Sequence, residues 1–282
     1  MILVTGGSGQ VSSEIYKLSK NKNYKFIFKS KKNLDISNFE RVKKYINENK
    51  IKILINTAAI TKVDYCEKYK SKCILVNYHS VKNIVKVCKK NNILLIHIST
   101  DYVYDGKSKK EYKETAKTIP LNVYGLSKLK ADEYIKKHLK KFIIIRSGWI
   151  FSKSSNSFIQ FIDNLIKNKK EINLIDNQFG NPTSAKSLAE TILKFVDINN
   201  SNKKLKYGVY NFCNFPSTNW YSFGKFYIHN IINNKKIKIN KIKSELLGLS
   251  AKRPKSTKLN CNKLQTFLKV KKIKWRKELF RI

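Results

Sequence analysis

Short apolar runs alternate with amphipathic stretches through the first half of the chain. The apolar runs are Ile2–Val4, Tyr24–Phe28, Ile53–Ile55, Leu94–Ile98 and Phe142–Ile145. Between these runs, the segments Phe39–Asn49, Val76–Lys90 and Tyr124–Leu139 carry apolar residues at the spacing of an amphipathic helix. Continuous apolar strands that alternate with helices indicate a parallel sheet covered on both faces. Because parallel crossovers are right-handed, we expect an α/β fold of the Rossmann type with a doubly wound parallel sheet.

The regular alternation weakens after about residue 147. Helical spacing recurs in Phe158–Asn168, in Ser184–Asp197 and near Trp220–Asn233. Strand-like runs occupy Ile172–Ile175 and Gly208–Asn211. This pattern predicts that the second half builds a smaller lobe and also adds to the sheet of the first half.

We therefore expect two lobes that share a cleft. Residues 1–148 would form the Rossmann domain, and residues 172–212 would return to it. Residues 149–171 and 213–282 would form a smaller α/β lobe over the carboxyl edge of the sheet, where open α/β sheets bind their ligands.

The charge of the chain is unusual. Of its 282 residues 41% are hydrophobic, a globular composition, yet the formal net charge is +40. Such a charge suggests nucleic acid or an anionic membrane as a partner. The arginines that nucleic-acid surfaces favour are few, namely Arg41, Arg146, Arg253, Arg276 and Arg281. We therefore attribute the charge to a lysine-rich composition, and expect no specific nucleic-acid partner but a cleft that attracts anions.

Other compositional features favour a cytoplasmic location. No apolar run approaches the roughly 20 residues that span a bilayer, and the sequence MILVTGGSGQ does not resemble a signal peptide. We expect no membrane association. The five cysteines lack the spacing of a zinc or redox motif, which predicts free thiols, a reducing compartment and no metal site.

A glycine-rich segment, Thr5–Ser12, follows the first apolar run and opens a helix. Gly6 can make the tight turn of a dinucleotide-binding loop, and Gly9 can let the backbone approach a pyrophosphate. The third glycine of the usual pattern is replaced by Ser12. The second strand then ends at Lys29. A basic side chain at this position can contact the 2′-phosphate of NADP. We therefore expect NADPH as cofactor, with NADH as the alternative.

Three residues carry the candidate chemistry. Thr100 follows the fourth strand directly, and Tyr124 and Lys128 are spaced four apart on a predicted helix. Tyr124 can give a proton to a carbonyl oxygen, and Thr100 can polarise that carbonyl. We expect the Lys128 ammonium and the helix N-terminus to lower the pKa of Tyr124, and Lys128 to hold the nicotinamide ribose. Each of these motifs alone is weak evidence for an enzyme. Their order along the chain, with the glycine loop first, then Ser-Thr after a strand and then Tyr-x-x-x-Lys, is a much more specific signal.

Several longer segments resemble the dTDP-4-dehydrorhamnose reductase family, a branch of the extended short-chain dehydrogenases. They are Gly9–Val11, Leu34–Ile36, Asn56–Asp64, Ser99–Gly106, Pro120–Lys128, Arg146–Trp149, Asp176–Thr183 and Arg253–Pro254. The resemblance covers essentially the whole length. It implies NAD(P)H-dependent reduction of the 4-keto group of dTDP-4-dehydro-L-rhamnose to give dTDP-L-rhamnose.

The resemblance also implies roles for individual residues. The catalytic set would be Thr100, Tyr124 and Lys128. Further cofactor contacts would come from Gly9, Gln10, Val11, Asp35, Ile36, Ala58, Ala59 and Thr61, in addition to Gly6 and Lys29, whose roles follow from the glycine turn and the end of the second strand. The nucleotide-sugar substrate would meet Thr100, Asp101, Tyr102, Trp149 and Arg253.

Alternatives remain for several of these roles. Asp35 can cap a helix, Trp149 can be core between the lobes, and Arg253 can be a surface residue beside a turn. The protein itself can be a reductase of another nucleotide-linked 4-keto-deoxysugar, a non-catalytic NADP-binding regulatory subunit, or a nonspecific nucleic-acid binder. A homodimer is a further expectation.

Overall fold

The computed structural model describes residues 1–154, 157–201 and 203–282. The strands are β1 (Ile2–Thr5), β2 (Phe26–Lys29), β3 (Ile53–Asn56), β4 (Leu94–Thr100), β5 (Phe142–Ser147), β6 (Ile150–Phe151), β7 (Glu171–Ile175), β8 (Phe179–Gly180), β9 (Thr183–Ser184), β10 (Gly208–Asn211), β11 (Thr218–Asn219) and β12 (Lys238–Ile242). The α-helices are α1 (Gln10–Ser19), α2 (Phe39–Glu48), α3 (Val63–Lys68), α4 (Lys70–Ile74), α5 (Ser80–Lys90), α6 (Val123–His138), α7 (Phe158–Asn168), α8 (Ala185–Asn199), α9 (Trp220–Phe226), α10 (Asn262–Leu268) and α11 (Trp275–Leu279). Shorter π-helical turns cover Leu75–His79 and Tyr227–Ile231, and 3₁₀ turns cover Asp101–Val103 and Ser244–Leu247.

Six parallel strands form the main sheet, in the order β10-β5-β4-β3-β1-β2. Successive residues along each strand point to opposite faces of the sheet and pack into two different hydrophobic cores. Ile2 and Val4 pack under α1 and α8, whereas Leu3 between them packs under α2, α5 and α6. Both faces of the sheet are therefore buried, which is why its strands are continuously apolar. The predicted Rossmann-type fold is confirmed.

A second lobe is built around a third core. β7 pairs with β12 in a separate parallel pair, and its Ile172 and Leu174 pack with residues of α7, α9 and α11, among them Ile162, Phe223 and Trp275. The expectation that residues 172–212 return to the main sheet is therefore wrong for its first strand. Glu171 to Ile175 alternates exposed and buried residues, the pattern of a strand with one wet face rather than a central strand of a covered sheet. Of the elements that the structure describes between residues 172 and 212, only α8 and β10 return to the main sheet.

Two simpler expectations concern cysteine and the membrane. Each of the five cysteines is a buried free thiol in the part of the chain that the structure describes, as expected. Across the described residues, none of the helices combines the length and the apolar character that a membrane span requires.

Candidate active site

The glycine-rich turn joins β1 to α1. Gly6 has a φ of +72°, and a Cβ there would lie 2.8 Å from the amide nitrogen of Ala58, so the predicted glycine-dependent turn is confirmed. Gly9 is the N-cap residue of α1, and no side chain among the described residues caps that terminus. The first-turn amides, including those of Gln10 and Val11, thus remain available to an anion such as a pyrophosphate.

Ser12 takes the place of the third glycine. Its side chain is buried, and its hydroxyl finds no hydrogen-bond partner within the described ranges. The helix therefore packs on the sheet with a serine at this position, at the cost of an unsatisfied hydroxyl.

Lys29 lies at the end of β2, beside the glycine turn. Its carbonyl accepts a hydrogen bond from the Gly7 amide at 2.9 Å. Its ammonium lies 4.9 Å from the centroid of the Tyr45 ring, a cation–π contact. In this fold the adenosine ribose lies at the end of the second strand. The structure thus puts a cation there, and its contact with a 2′-phosphate stays a prediction.

The loop after β2 holds two further predicted cofactor residues. Asp35 accepts hydrogen bonds from the amide and the hydroxyl of Ser37, at 2.9 and 2.7 Å. Helix α2 has its own cap, Asn38, so Asp35 closes the turn before the helix rather than the helix itself. Ile36 has its side chain buried in the core, so any contact it makes with a cofactor comes from its backbone.

Asn77 holds the loop after β3. Its side-chain oxygen accepts from the Ile60 amide at 2.8 Å, and its nitrogen donates to the Ile60 carbonyl at 2.9 Å. The same nitrogen lies 3.0 Å from the Ser127 hydroxyl on α6. Asn77 belongs to a π-helical turn, a feature frequent at functional sites. The loop fixed in this way carries the predicted cofactor residues Ala58, Ala59 and Thr61.

Helix α6 carries Tyr124 and Lys128 one turn apart, as their spacing predicts. The helix begins after Asn122, whose side-chain oxygen accepts from the Gly125 amide at 2.8 Å. The Asn122 nitrogen donates to the Lys252 carbonyl at 2.9 Å. The start of the catalytic helix is therefore tied to the C-terminal segment.

Two glycines, Gly125 and Gly148, allow helix α6 and the end of β5 to approach the turn that follows β4. A Cβ at Gly125 would overlap the carbonyl oxygen of Tyr102, and a Cβ at Gly148 would overlap the Asp101 carboxylate. The first approach brings α6 against the turn after β4, so that the rings of Tyr102 and Tyr124 meet edge to face with centroids 5.9 Å apart. The glycine before Trp149 is thus required by the buried carboxylate beside it.

Thr100 and Asp101 lie together at the carboxyl end of β4. The Thr100 hydroxyl donates to Asp101 Oδ1 at 3.1 Å, and the Thr257 hydroxyl donates to Asp101 Oδ2 at 2.5 Å. Burial raises the pKa of Asp101 to about 6, although both hydrogen bonds act in the opposite direction. A carboxyl group that can gain a proton near neutral pH therefore lies beside the candidate catalytic threonine.

The expected lowering of the Tyr124 pKa by Lys128 is wrong in this structure. Burial raises the pKa of Tyr124, and a hydrogen bond with Thr100 offsets only part of this. Lys128 does not act on the phenol because its Nζ is turned toward β4. It donates to the Ile98 carbonyl at 2.6 Å and lies 3.1 Å from His97 Nε2.

Trp149 lies where the two lobes meet. It adopts a positive φ of 50°, which is uncommon outside glycine. Its indole stacks on Trp220 of the second lobe, with centroids 3.6 Å apart and planes 6° apart. The ring is only partly buried, and the preceding residue touches Asp101. Trp149 thus contributes to packing between the lobes and still presents surface near the candidate catalytic residues.

Arg253 pairs with Asp64 of α3. The two side chains form a fork, with Nη2 to Oδ2 at 2.5 Å and Nη1 to Oδ1 at 3.2 Å. The hydrogen bonds from Arg253 lower the pKa of Asp64 to about 2. Arg253 is therefore not the isolated surface residue that the sequence allowed. Its predicted contact with a substrate diphosphate would require the guanidinium to share or leave this partner.

Sequence reasoning missed several polar residues behind the site. Asp132 and Arg146 form a buried pair at 3.1 Å, and Ser99 donates to the same carboxylate oxygen at 2.9 Å. His97 is buried within β4 and contacts Lys128. Polar residues within apolar runs, such as His97 in ILLIHIST, were the available signal.

The nucleotide turn and the Tyr124–Lys128 pair thus occupy the same edge of one parallel sheet. A bound dinucleotide and a proton donor would meet there, beneath the second lobe. This combination belongs to the short-chain dehydrogenase class of oxidoreductases, in its extended form.

Comparison with known proteins narrows the class to one family. A family model described as the RmlD substrate binding domain matches residues 1–282. The dTDP-4-dehydrorhamnose reductase of Aggregatibacter actinomycetemcomitans is 30% identical over 99% of this chain and 96% of its own. A dTDP-4-keto-6-deoxy-D-glucose reductase of Streptomyces niveus is 30% identical over 69% of this chain and 68% of its own.

Solved structures agree with this result. The dTDP-4-dehydrorhamnose reductase of Bacillus anthracis, determined in complex with NADP, superposes with a TM-score of 0.93 at 29% identity, covering 99% of this chain and 97% of that one. The chain belongs to the RmlD family, and its resemblance to the dTDP-4-dehydrorhamnose reductases is confirmed.

Proposed function

We propose that this protein reduces the 4-keto group of dTDP-4-dehydro-L-rhamnose with NADPH and releases dTDP-L-rhamnose. One observation carries the proposal. Thr100, Tyr124 and Lys128 lie around the carboxyl end of β4, in a chain similar over its whole length to dTDP-4-dehydrorhamnose reductases. The reaction needs a hydride for the carbonyl carbon and a proton for its oxygen.

The residues of the nucleotide turn fit a dinucleotide. The uncapped N-terminus of α1 offers amides and the positive end of a helix dipole to the pyrophosphate. Lys29, at the end of β2, offers a cation to a 2′-phosphate, which favours NADPH over NADH. When bound, the cofactor supplies the hydride.

The side chains of the site supply the proton and orient the carbonyl. Tyr124 donates its hydroxyl proton to the substrate oxygen, and its high pKa keeps it protonated at neutral pH. Thr100 would turn its hydroxyl from Asp101 to the same oxygen. Lys128, one helical turn away, would turn its Nζ from the Ile98 carbonyl to the Tyr124 oxygen to return a proton after each turnover.

Other parts of the site would recognise the nucleotide-sugar. Trp149 follows Gly148, whose backbone lies against the Asp101 carboxyl group, and its partly exposed indole is a surface suited to a sugar. Arg253 offers a guanidinium to the diphosphate at the rim. The cytoplasmic location, the homodimer and the division into a cofactor and a substrate domain stay predictions.

The proposal is tested by steady-state reduction with dTDP-4-dehydro-L-rhamnose generated in place by the two preceding enzymes. We expect NADPH oxidation with formation of dTDP-L-rhamnose, and a lower rate with NADH. The name of the Streptomyces relative makes dTDP-4-keto-6-deoxy-D-glucose the second substrate to compare. A preference for that sugar would contradict the substrate, and NADPH binding without turnover of either sugar would favour a regulatory subunit.

A further inference from the structure

A chain of buried hydrogen bonds runs under the candidate active site, from β1 to α6. Thr5 donates to the Asn56 side-chain oxygen at 2.7 Å, and Asn56 Nδ2 lies 3.1 Å from His97 Nδ1. His97 Nε2 lies 3.1 Å from Lys128 Nζ, which donates to the Ile98 carbonyl at 2.6 Å. Of these groups only Lys128 has a role in the proposed reaction.

The orientation of the Asn56 side-chain amide is fixed by a backbone N–H group, which can donate a hydrogen bond but cannot accept one. The backbone N–H of Ala58 donates to Asn56 Oδ1 at 3.2 Å, and the Thr5 hydroxyl donates to the same atom. The atom facing His97 is therefore the amide nitrogen, which can only donate.

This orientation selects one form of the His97 ring. Nδ1 must be the acceptor for the Asn56 amide, so it carries no proton. Burial, and then the charge of Lys128, lower the pKa of His97 well below its ordinary value, so the ring is neutral. A neutral imidazole has one ring proton. That proton lies on Nε2 and points at Lys128.

An ammonium group cannot accept this proton, because all of its hydrogens are donors. A neutral amine can accept the Nε2–H and still donate to the Ile98 carbonyl, so both contacts are satisfied. We propose that His97 is a positioning residue, which holds the Lys128 side chain through its Nε2–H and favours the neutral amine over the ammonium.

The surrounding charges decide how strong this preference is. Burial lowers the pKa of Lys128 to about 8, against the charges of Asp132 and Cys73, which raise it. Asp132 also binds Arg146 and Ser99, so its attraction for Lys128 is shared. The titratable groups around Lys128 are Tyr124 and Asp132 on α6, Cys73 on α4 with Cys66 behind it on α3, His97 on β4, and Arg146 on β5 through its pair with Asp132.

The catalytic consequence rests on the proposed function. During reduction the Tyr124 phenolate must regain a proton, and Lys128 can give one only while it is an ammonium. The phenolate is the stronger base, so this transfer is favourable while Lys128 is an ammonium, and it is lost at pH values above the Lys128 pKa, where the side chain is a neutral amine. His97 would thus set the upper limit of the pH range of the reaction.

The tautomer of His97 can be measured directly in the purified full chain. Long-range ¹H–¹⁵N spectra distinguish protonated from unprotonated ring nitrogens, and the chain has only four histidines. The His97 signals are assigned by their loss in His97→Gln. We expect a protonated Nε2 and an unprotonated Nδ1 above about pH 8, where Lys128 is a neutral amine. A protonated Nδ1, or an imidazolium at neutral pH, overturns the inference.

The effect on Lys128 is measured with ¹³Cε-labelled lysine, and the signal is assigned by its loss in Lys128→Met. In His97→Gln the amide oxygen can turn to Lys128 and accept from the ammonium. We therefore expect the Lys128 pKa to rise by about one unit or more, or about tenfold in proton affinity. His138→Gln is the control, because that ring contacts Tyr134 on the outer side of α6. An equal Lys128 titration in wild type and His97→Gln overturns the inference.

A kinetic experiment connects the inference to the reaction. We expect kcat of the wild type to fall above about pH 8, and the fall in His97→Gln to begin about one unit higher, with little change in KM. A purely structural role of His97 would lower kcat at every pH and leave the profile unshifted. The NMR experiments use neither substrate nor cofactor, so their failure leaves the proposed reaction standing. Absent turnover by wild type would refute the reaction alone.

Discussion

Replacing Asp101 by asparagine is expected to stabilise the protein at neutral pH. The carboxyl is 2% exposed, and its pKa of about 6 lies above the value of 3.8 expected in an unfolded chain. Between these two values the folded protein binds more protons than the unfolded chain. Its free energy of unfolding therefore falls as the pH rises through this range and stays low above it. Asparagine keeps the shape of the side chain and does not titrate.

The magnitude follows from the difference between the two pKa values. The buried carboxyl lowers the free energy of unfolding of the wild type by about 3 kcal/mol once the pH exceeds both values. About 2 kcal/mol of this loss develops between about pH 4.5 and about pH 8. The hydrogen bonds should survive, since the Thr257 hydroxyl can rotate to accept from the new amide. Asp101→Asn should therefore gain about 2 kcal/mol relative to wild type over this pH range.

Urea unfolding of both proteins at several pH values between these limits measures the effect. Asp105→Asn is the matched control, because a hydrogen bond from Tyr112 holds the pKa of Asp105 below 3.8, so this carboxyl is ionised in both the folded and the unfolded chain throughout this pH range. The difference in the free energy of unfolding between that variant and wild type should therefore stay constant with pH over this range. A stability difference between Asp101→Asn and wild type that does not change with pH would show that the pKa of Asp101 is not raised by folding.

Three further substitutions test other parts of the account. Tyr124→Phe should reduce kcat by about 10²-fold or more in the NADPH oxidation assay, and a near-normal rate would exclude Tyr124 as the acid. Lys29→Ala should raise the KM for NADPH about tenfold with little change for NADH, whereas the exposed Lys31→Ala should change neither; equal effects on both cofactors would contradict the 2′-phosphate contact. Arg146→Met leaves the buried carboxylate of Asp132 without its cation and should cost about 3–5 kcal/mol in chemical denaturation, so a loss below about 1 kcal/mol would show the pair to be dispensable.

The strands of the main sheet were predictable because burial on both faces requires uninterrupted apolar residues, as in Leu94–Ile98. The same criterion fails for Glu171–Ile175, whose alternation marks a strand with one exposed face in the second lobe. The Tyr124–Lys128 pair was also predictable, since a helix brings residues four apart to the same side.

Contacts between distant segments were not predictable. Nothing in the sequence shows that Arg253 meets Asp64, or that His97 meets Asn56 and Lys128, because these pairs form only when the chain has folded. The direction of the Lys128 side chain decides whether it acts on the phenol of Tyr124. That direction depends on the Ile98 carbonyl and the His97 ring.

The most direct test of the central claim follows the transferred hydride. NADPH that carries deuterium at its reactive carbon is incubated with the purified protein and dTDP-4-dehydro-L-rhamnose, and the product is analysed by mass spectrometry and NMR. We expect dTDP-L-rhamnose with one deuterium at carbon 4. Deuterium at another carbon, the product epimeric at carbon 4, or cofactor that binds and is never oxidised would contradict it.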